Sequence, residues 1–130
     1  MIGIDTNVLL RLILQDDPEQ GARASALMAS LSRREPGYIS SVVLAEAFWV
    51  LQRKHRRSKA ELLLFIEGLL GAHQIVLENS DAVAEAMRRF ENSNADFADC
   101  FIERLCSLGG CTRTVTFDVG ASKVAGMVLL

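Results

Sequence analysis

Apolar positions recur along this chain in two rhythms, short runs and helical stripes, and they alternate. Met1 to Ile4 is a short apolar run that stops at Asp5, and a mostly apolar stretch follows from Asn7 to Leu14. This predicts strand 1 over residues 2–5, ending in a carboxylate, and then a short helix. Asp17-Pro18-Glu19-Gln20 is a helix start, with Asp as N-cap and Pro in the first position. That helix is expected to run to about Arg34 with Ala22, Ala26, Leu27 and Leu31 inward, before Pro36-Gly37 ends it. Residues 37–40 can hold a second strand. Ser40 or Ser41 caps a helix from about Val42 to His55, with Val43, Leu44, Ala47, Phe48 and Leu51 on its apolar face. Ser58 with Glu61 is a capping box opening a helix through Leu70, closed by Gly71.

The second half repeats the alternation. Residues 74–77 read as a third strand. Ser80 starts a helix ending near Glu91, with Val83, Ala84, Met87 and Phe90 inward. Asn92-Ser93-Asn94 is a break and a cap, followed by a helix from Ala95 to Leu108 that Gly109-Gly110 stops. Residues 112–117 alternate with β-branched side chains as a strand, Gly120 lies in a turn, and residues 127–130 form a last edge strand. Strands alternating with helices predict an α/β fold with a parallel sheet covered on both faces. No repeat or linker interrupts the pattern, so one domain over 1–130 is expected.

Composition narrows this further. The chain has 130 residues, half of them hydrophobic, which suffices for one core. A net charge of −2 does not advertise nucleic-acid binding, so any such role must rest on local basic patches or a metal. Asp5, Asn7 and Arg11 interrupt the first apolar run, no secretory pattern is expected, and no run of about 18 uncharged apolar residues predicts a membrane span. Cys100, Cys106 and Cys111 lack paired spacing and read as buried free thiols of a reducing cytoplasm.

The chemistry lies in the acids. Asp5 ends strand 1 and Asp118 follows the strand at 112–117, so parallel neighbours would present both on one edge, where α/β sheets bind ligands. Glu46 sits among apolar helix neighbours, where a lone carboxylate is costly unless a cation meets it. Asp99, with Asp96 as a second-rank candidate, lies on a further helix. Two carboxylates about 4 Å apart repel by roughly 4 kcal/mol at an effective dielectric near 20, so gathering them requires a cation or shared protons. Oxygen donors without His or Cys favour Mg²⁺ or Mn²⁺, and the chemistry that suits such a site is phosphodiester hydrolysis. Each acid also has an ordinary alternative. Asp5 fits a strand-end turn, Glu46 and Asp99 an exposed helix face, Asp96 a capping pair with Ser93, and Asp118 an Asx turn before Gly120.

Four blocks carry a resemblance: Ile4-Asp5-Thr6-Asn7-Val8-Leu9-Leu10, Ser41-Val42-Val43-Leu44-Ala45-Glu46, Ala95-Asp96-Phe97-Ala98-Asp99-Cys100-Phe101-Ile102 and Thr116-Phe117-Asp118. In this order and length the chain resembles PIN-domain ribonucleases, and most of all the VapC toxins of type II toxin–antitoxin systems. The resemblance implies a PIN-like α/β/α sandwich with a four- to five-stranded parallel sheet, order 3-2-1-4-5, flanked by helices. It implies a Mg²⁺- or Mn²⁺-dependent endoribonuclease in which Asp5, Glu46, Asp99 and Asp118 bind metal and act in catalysis. Thr6 or Thr116 would hydrogen-bond in the site and Asn7 would orient Asp5. It further implies an RNA substrate, a homodimer and a cognate antitoxin laid across the acidic groove. Relatives that carry a further acid after the fourth block differ from this chain, which has Val119-Gly120 there.

Basic residues divide between roles. Arg53, Lys54, Arg56 and Arg57, around His55, form the densest run, at a helix end where positive charge also suits the dipole or meets RNA phosphate. Arg11 can reach substrate or form a surface ion pair. Arg33-Arg34 and Arg88-Arg89 read as exposed helix ends, and Phe48 and Trp49 as core or dimer contacts. His55 and His73 lack the partners of a catalytic dyad. Two rival readings follow: a PIN-like RNA- or protein-binding module with weak or no catalysis, and a phosphatase using Asp5 as nucleophile. The second wants an Asp at position 7, where this chain has Asn7.

Overall fold

Three short strands set the frame of the first half. In the computed structural model, which describes residues 1–130, β1 (Ile2–Gly3), β2 (Gly37–Ile39) and β3 (Ile75–Leu77) form a parallel sheet in the spatial order β1-β2-β3. Ile2 pairs with Gly37, and Gly37 in turn with Ile75. The Ile4 N–H extends the ladder by donating to the Tyr38 carbonyl at 2.9 Å. Beyond it the chain turns at Asp5 into helix α1 (Thr6–Leu14). The middle strand approaches its neighbours closely. A Cβ at position 37 would stand 2.5 Å from Ile4 Cδ1 and 2.8 Å from Leu31 Cδ1, so only glycine fits without repacking.

The chain divides into two compact units, Met1–Glu78 and Asn79–Leu130. In the first, α1 packs on α2 (Pro18–Ser30) and α3 (Ser41–Trp49), and α4 (Lys59–Gly71) packs on β3. The expected caps are there. Asp17 accepts from the Gln20 N–H, Ser40 from that of Val43 and Ser58 from that of Glu61. Leu9, Ile39, Leu44, Phe48, Leu51 and Ile66 fill the core.

Three expectations in this unit are corrected. Helix α2 ends at Ser30 rather than near Arg34. Its buried face carries Gly21 and Ala24, while Ala22 and Ala26 are exposed. Alanine is too weakly apolar to fix the phase of a stripe, and the small Gly21 lies against the Gln15 side chain. The helix after Ser40 does not continue as α to His55 either. It passes into a π-helical turn, Val50–Lys54, closed by the His55 N–H donating to the Val50 carbonyl at 3.1 Å. Of the two aromatics expected as core or dimer contacts, Phe48 is core and Trp49 is 58% exposed.

The second unit holds α5 (Ser80–Glu91), α6 (Phe97–Leu108), β4 (Val115–Thr116), α7 (Val119–Val124) and β5 (Val128–Leu129). Helices α5 and α6 pack through Phe90, Phe97 and Phe101, whose rings meet edge to face at centroid distances of 6.1 and 5.7 Å. Strands β4 and β5 pair in parallel. Gly120, expected in a turn, lies inside α7, because Asp118 caps a helix immediately after β4. Helix α6 starts at Phe97, not Ala95, because Asp96 is its N-cap.

The protein is thus α/β, with seven α-helices and small parallel sheets. The ladders are β1-β2-β3 and β4-β5; no continuous order 3-2-1-4-5 is formed by the hydrogen bonds. The cysteines are free, but only Cys100 is buried and Cys111 is exposed, contrary to the expectation that all were buried. No helix is long and apolar enough to cross a membrane.

Candidate functional site

Every candidate acid except Glu46 stands at or just inside the start of a helix. Asp5 caps α1, its Oδ2 accepting from the Asn7 backbone N–H at 3.3 Å. This is a main-chain capping bond and does not involve the Asn7 side chain. Thr6, the next residue, is buried, and its hydroxyl donates to Glu46 Oε2 at 2.8 Å. That bond draws the Glu46 carboxylate from α3 to the residue following Asp5. Unit Met1–Glu78 therefore presents two oxygen donors around one strand-to-helix turn.

Unit Asn79–Leu130 carries the other candidate acids. Asp96 caps α6 by accepting from the Ala98 N–H at 2.9 Å, so its capping role is real, whatever else it does. Asp99 lies in the first turn of the same helix. Asp118 caps α7, accepting from the Ala121 N–H at 2.9 Å, while the Thr116 hydroxyl oxygen accepts from the Asp118 N–H at 3.0 Å. Thr116 thus orients the backbone that carries Asp118. Burial pushes the Asp99 carboxyl above its ordinary range, and the charges of Asp96 and Asp118 push it further. Within this unit Asp99 therefore feels the charges of the other two acids.

None of Asp5, Glu46, Asp99 and Asp118 forms an ion pair. The arginines of both units are committed elsewhere or stand apart. Arg11 pairs with Asp16 at 3.0 Å and donates to Gln20, which realises its surface-pair alternative. Arg57 pairs with Glu61, and Arg53, Lys54, Arg56 and Arg57 are all exposed around the π-helical turn. Neither unit by itself gathers three or more His, Cys, Asp or Glu side chains at metal-binding separation. The donors are carboxylate oxygens with a threonine hydroxyl beside them and no imidazole or thiolate. That set fits a hard divalent cation such as Mg²⁺ or Mn²⁺.

Sequence reasoning passed over Glu103 and misplaced Arg89. Glu103 is buried and receives Arg89 Nη1 at 3.2 Å and two hydrogen bonds from Arg104, which also reaches Glu85. Arg89 is half-buried rather than an exposed helix end, and it also donates to the Ala125 carbonyl at 2.7 Å. Gly126, at φ +83°, makes room, since a Cβ there would lie 2.5 Å from Arg89 Nη1. A Glu four positions beyond Asp99 carries no mark in the sequence that separates a buried bridge from a solvated acid.

This is an α/β chain with carboxylates at its strand-to-helix turns and no ion pair to any of Asp5, Glu46, Asp99 and Asp118. It belongs to the PIN domain family, whose model matches residues 2–127. PIN domains are typically metal-dependent nucleases, which makes a hydrolase the class of this chain. No curated protein matches it.

The Thr6 bond sets a prediction. Thr6→Val keeps shape and burial but frees Glu46. Divalent-metal affinity, read by isothermal titration, should fall roughly 10–100-fold, as for other groups that orient a ligand. An unchanged affinity would show that metal binding does not depend on the Thr6–Glu46 bond.

Proposed function

We propose that this protein is an endoribonuclease toxin of a type II toxin–antitoxin system, of the VapC kind, hydrolysing RNA phosphodiesters with Mg²⁺ or Mn²⁺. The observation that carries the reading is the electrostatic state of the acids. Asp99 is crowded by Asp96 and Asp118, and no basic side chain pairs with any of the four principal carboxylates. In this reading residues 1–130 form one domain with strand order 3-2-1-4-5, and Asp5, Glu46, Asp99 and Asp118 serve one metal site.

Asp5 and Asp99 are the principal ligands. Glu46, held by Thr6, and Asp118, held by its cap, take up the proton of the attacking water or orient it for in-line displacement. A bound divalent ion would lower the pKa of that water and stabilise the leaving oxygen. Asp96 keeps the first turn of α6 in place so that Asp99 is presented correctly. Arg53, Lys54, Arg56 and Arg57 are candidates to meet RNA phosphates beyond the cut. A homodimer and a cytoplasmic location belong to the same reading. A cognate antitoxin would silence the site with a basic side chain set among these carboxylates, a cation in place of the metal.

The test is cleavage of total cellular RNA by antitoxin-free protein with Mg²⁺, with Mn²⁺ and with chelator, beside folded Asp5→Asn. Discrete fragments that require both metal and Asp5 support the reading. Cleavage that survives chelator or Asp5→Asn overturns the mechanism. Absence of both cleavage and metal binding would make the chain a PIN-like binding module.

A further inference from the structure

A cleft of about 430 Å³ lies between α1 and α2, wholly within the first unit and starting two residues beyond Asp5. Its α1 wall is Asn7, Val8 and Arg11, one helical face. Its α2 wall takes residues at positions 20, 23, 24 and 27, also one face. We propose that this cleft is a nucleotide subsite that holds one unstacked base and its phosphate next to the scissile bond, with Arg23 as its anchor. The proposal rests on the nuclease reading and adds to it the way the substrate strand is seated.

Three properties point to a nucleotide. The volume falls within the usual range for small-ligand pockets, roughly 300–1,000 Å³. Val8, Ala24 and Leu27 give it apolar lining against which a base face can rest. Asn7 and Gln20 add side-chain amides, the groups that hydrogen-bond base edges, and single-stranded RNA is read in this way, by stacking plus edge contacts.

Charge identifies the anchor. Arg11 is already fixed by Asp16 and by Gln20 Oε1, so it stiffens one wall and leaves the Gln20 amide nitrogen to a ligand. Arg23 is exposed, lines the same cleft and has no ion-pair or hydrogen-bond partner. A guanidinium without a carboxylate, beside apolar lining, can stack on a base or grip a phosphate. No acidic residue lines the cleft and Arg23 leaves it one unpaired positive charge, the complement of an RNA strand approaching an otherwise acidic site.

Two measurements test this. Binding of a fluorescein-labelled random 12-nucleotide RNA is followed by anisotropy over a salt series, in Asp99→Asn protein so that nothing is cut, with and without Arg23→Gln. Methyl and arginine NMR spectra of the same proteins are recorded during titration with each of the four nucleoside 5′-monophosphates. Loss of one phosphate contact should reduce the slope of log K against log salt by about 0.7, weaken RNA binding several-fold, and abolish nucleotide-induced shifts at Val8, Ala24 and Leu27. RNA binding and wild-type cleavage that ignore Arg23→Gln, with shifts elsewhere, overturn the subsite and leave the nuclease reading standing. Nucleotide shifts in the cleft of a protein that cleaves nothing support the subsite and sink the nuclease reading instead. Failure of every nucleotide and of the RNA to perturb the cleft overturns the subsite outright.

Discussion

Asp99→Asn should lower metal-dependent RNA cleavage by roughly 10²–10³-fold, the scale on which a single group stabilising developing charge is lost. The same change should leave the fold as stable as before or stabilise it. The two effects part because Asp99 is held in an unfavourable place. It is partly buried, and the charges of Asp96 and Asp118 oppose its own. Asparagine keeps the shape and removes that repulsion. A carboxylate kept where charge is costly, without a basic partner, is a mark of a functional rather than a stabilising group.

Metal linkage gives the independent readout. An ion that binds only the folded state should raise the melting temperature, by an amount equivalent to about 2.7 kcal/mol at a hundredfold excess over Kd. In Asp99→Asn that increment should shrink or vanish, while the metal-free melting temperature holds or rises. Thermal scans with chelator and with Mn²⁺ read both. A variant that still gains the full increment would show that Asp99 is not a ligand. One that melts lower without metal would show that the carboxylate supports the fold.

Much of this frame is legible in the sequence, because caps and strand ends are local signals. Asp17-Pro18, Ser40 and Ser58 start helices where their short side chains allow, and Asp5 closes a strand as the run before it requires. The PIN family follows from motifs of the same local kind. What is not legible depends on partners far along the chain. The pairing of Arg89 with Glu103 spans 14 residues and the bond from Arg89 to Ala125 spans 36, so neither could be read from helix periodicity. The register of α2 was lost because its alanines look alike from both sides. In the sequence Asp96 fits cap and ligand alike, since a carboxylate before Phe97 satisfies either pattern, and only the bond from the Ala98 N–H shows the first.

Glu103→Gln should cost roughly 2–3 kcal/mol of stability. Breaking a fully buried ion pair costs about 3–5 kcal/mol, but Arg89 and Arg104 keep 34% and 25% of their side-chain surface exposed, so water takes up part of the loss. The sign of the pH dependence follows from the bridge. Hydrogen bonding by Arg104 holds the Glu103 carboxyl below its ordinary value of 4.5, against the opposing effect of burial. Its stabilisation is therefore complete above about pH 4.5 and is lost as pH falls from there through the lower folded-state value. Wild-type protein and Glu103→Gln should differ most near neutrality and converge as pH falls through the lowered folded-state value of Glu103, below which both lack the charge. Urea midpoints over that range, taken in chelator, measure the gap; a gap that stays constant with pH would mean that packing, not the ion bridge, is what Glu103 supplies. In the nuclease reading the same bridge also holds the elements that carry two of the acids. Arg89 binds the Ala125 carbonyl just past α7, whose first residue is capped by Asp118, and Glu103 shares its helix with Asp99. A loosened bridge should therefore reduce cleavage at temperatures well below the melting point of the variant, whereas a purely global loss of stability would reduce it only as unfolded chains accumulate.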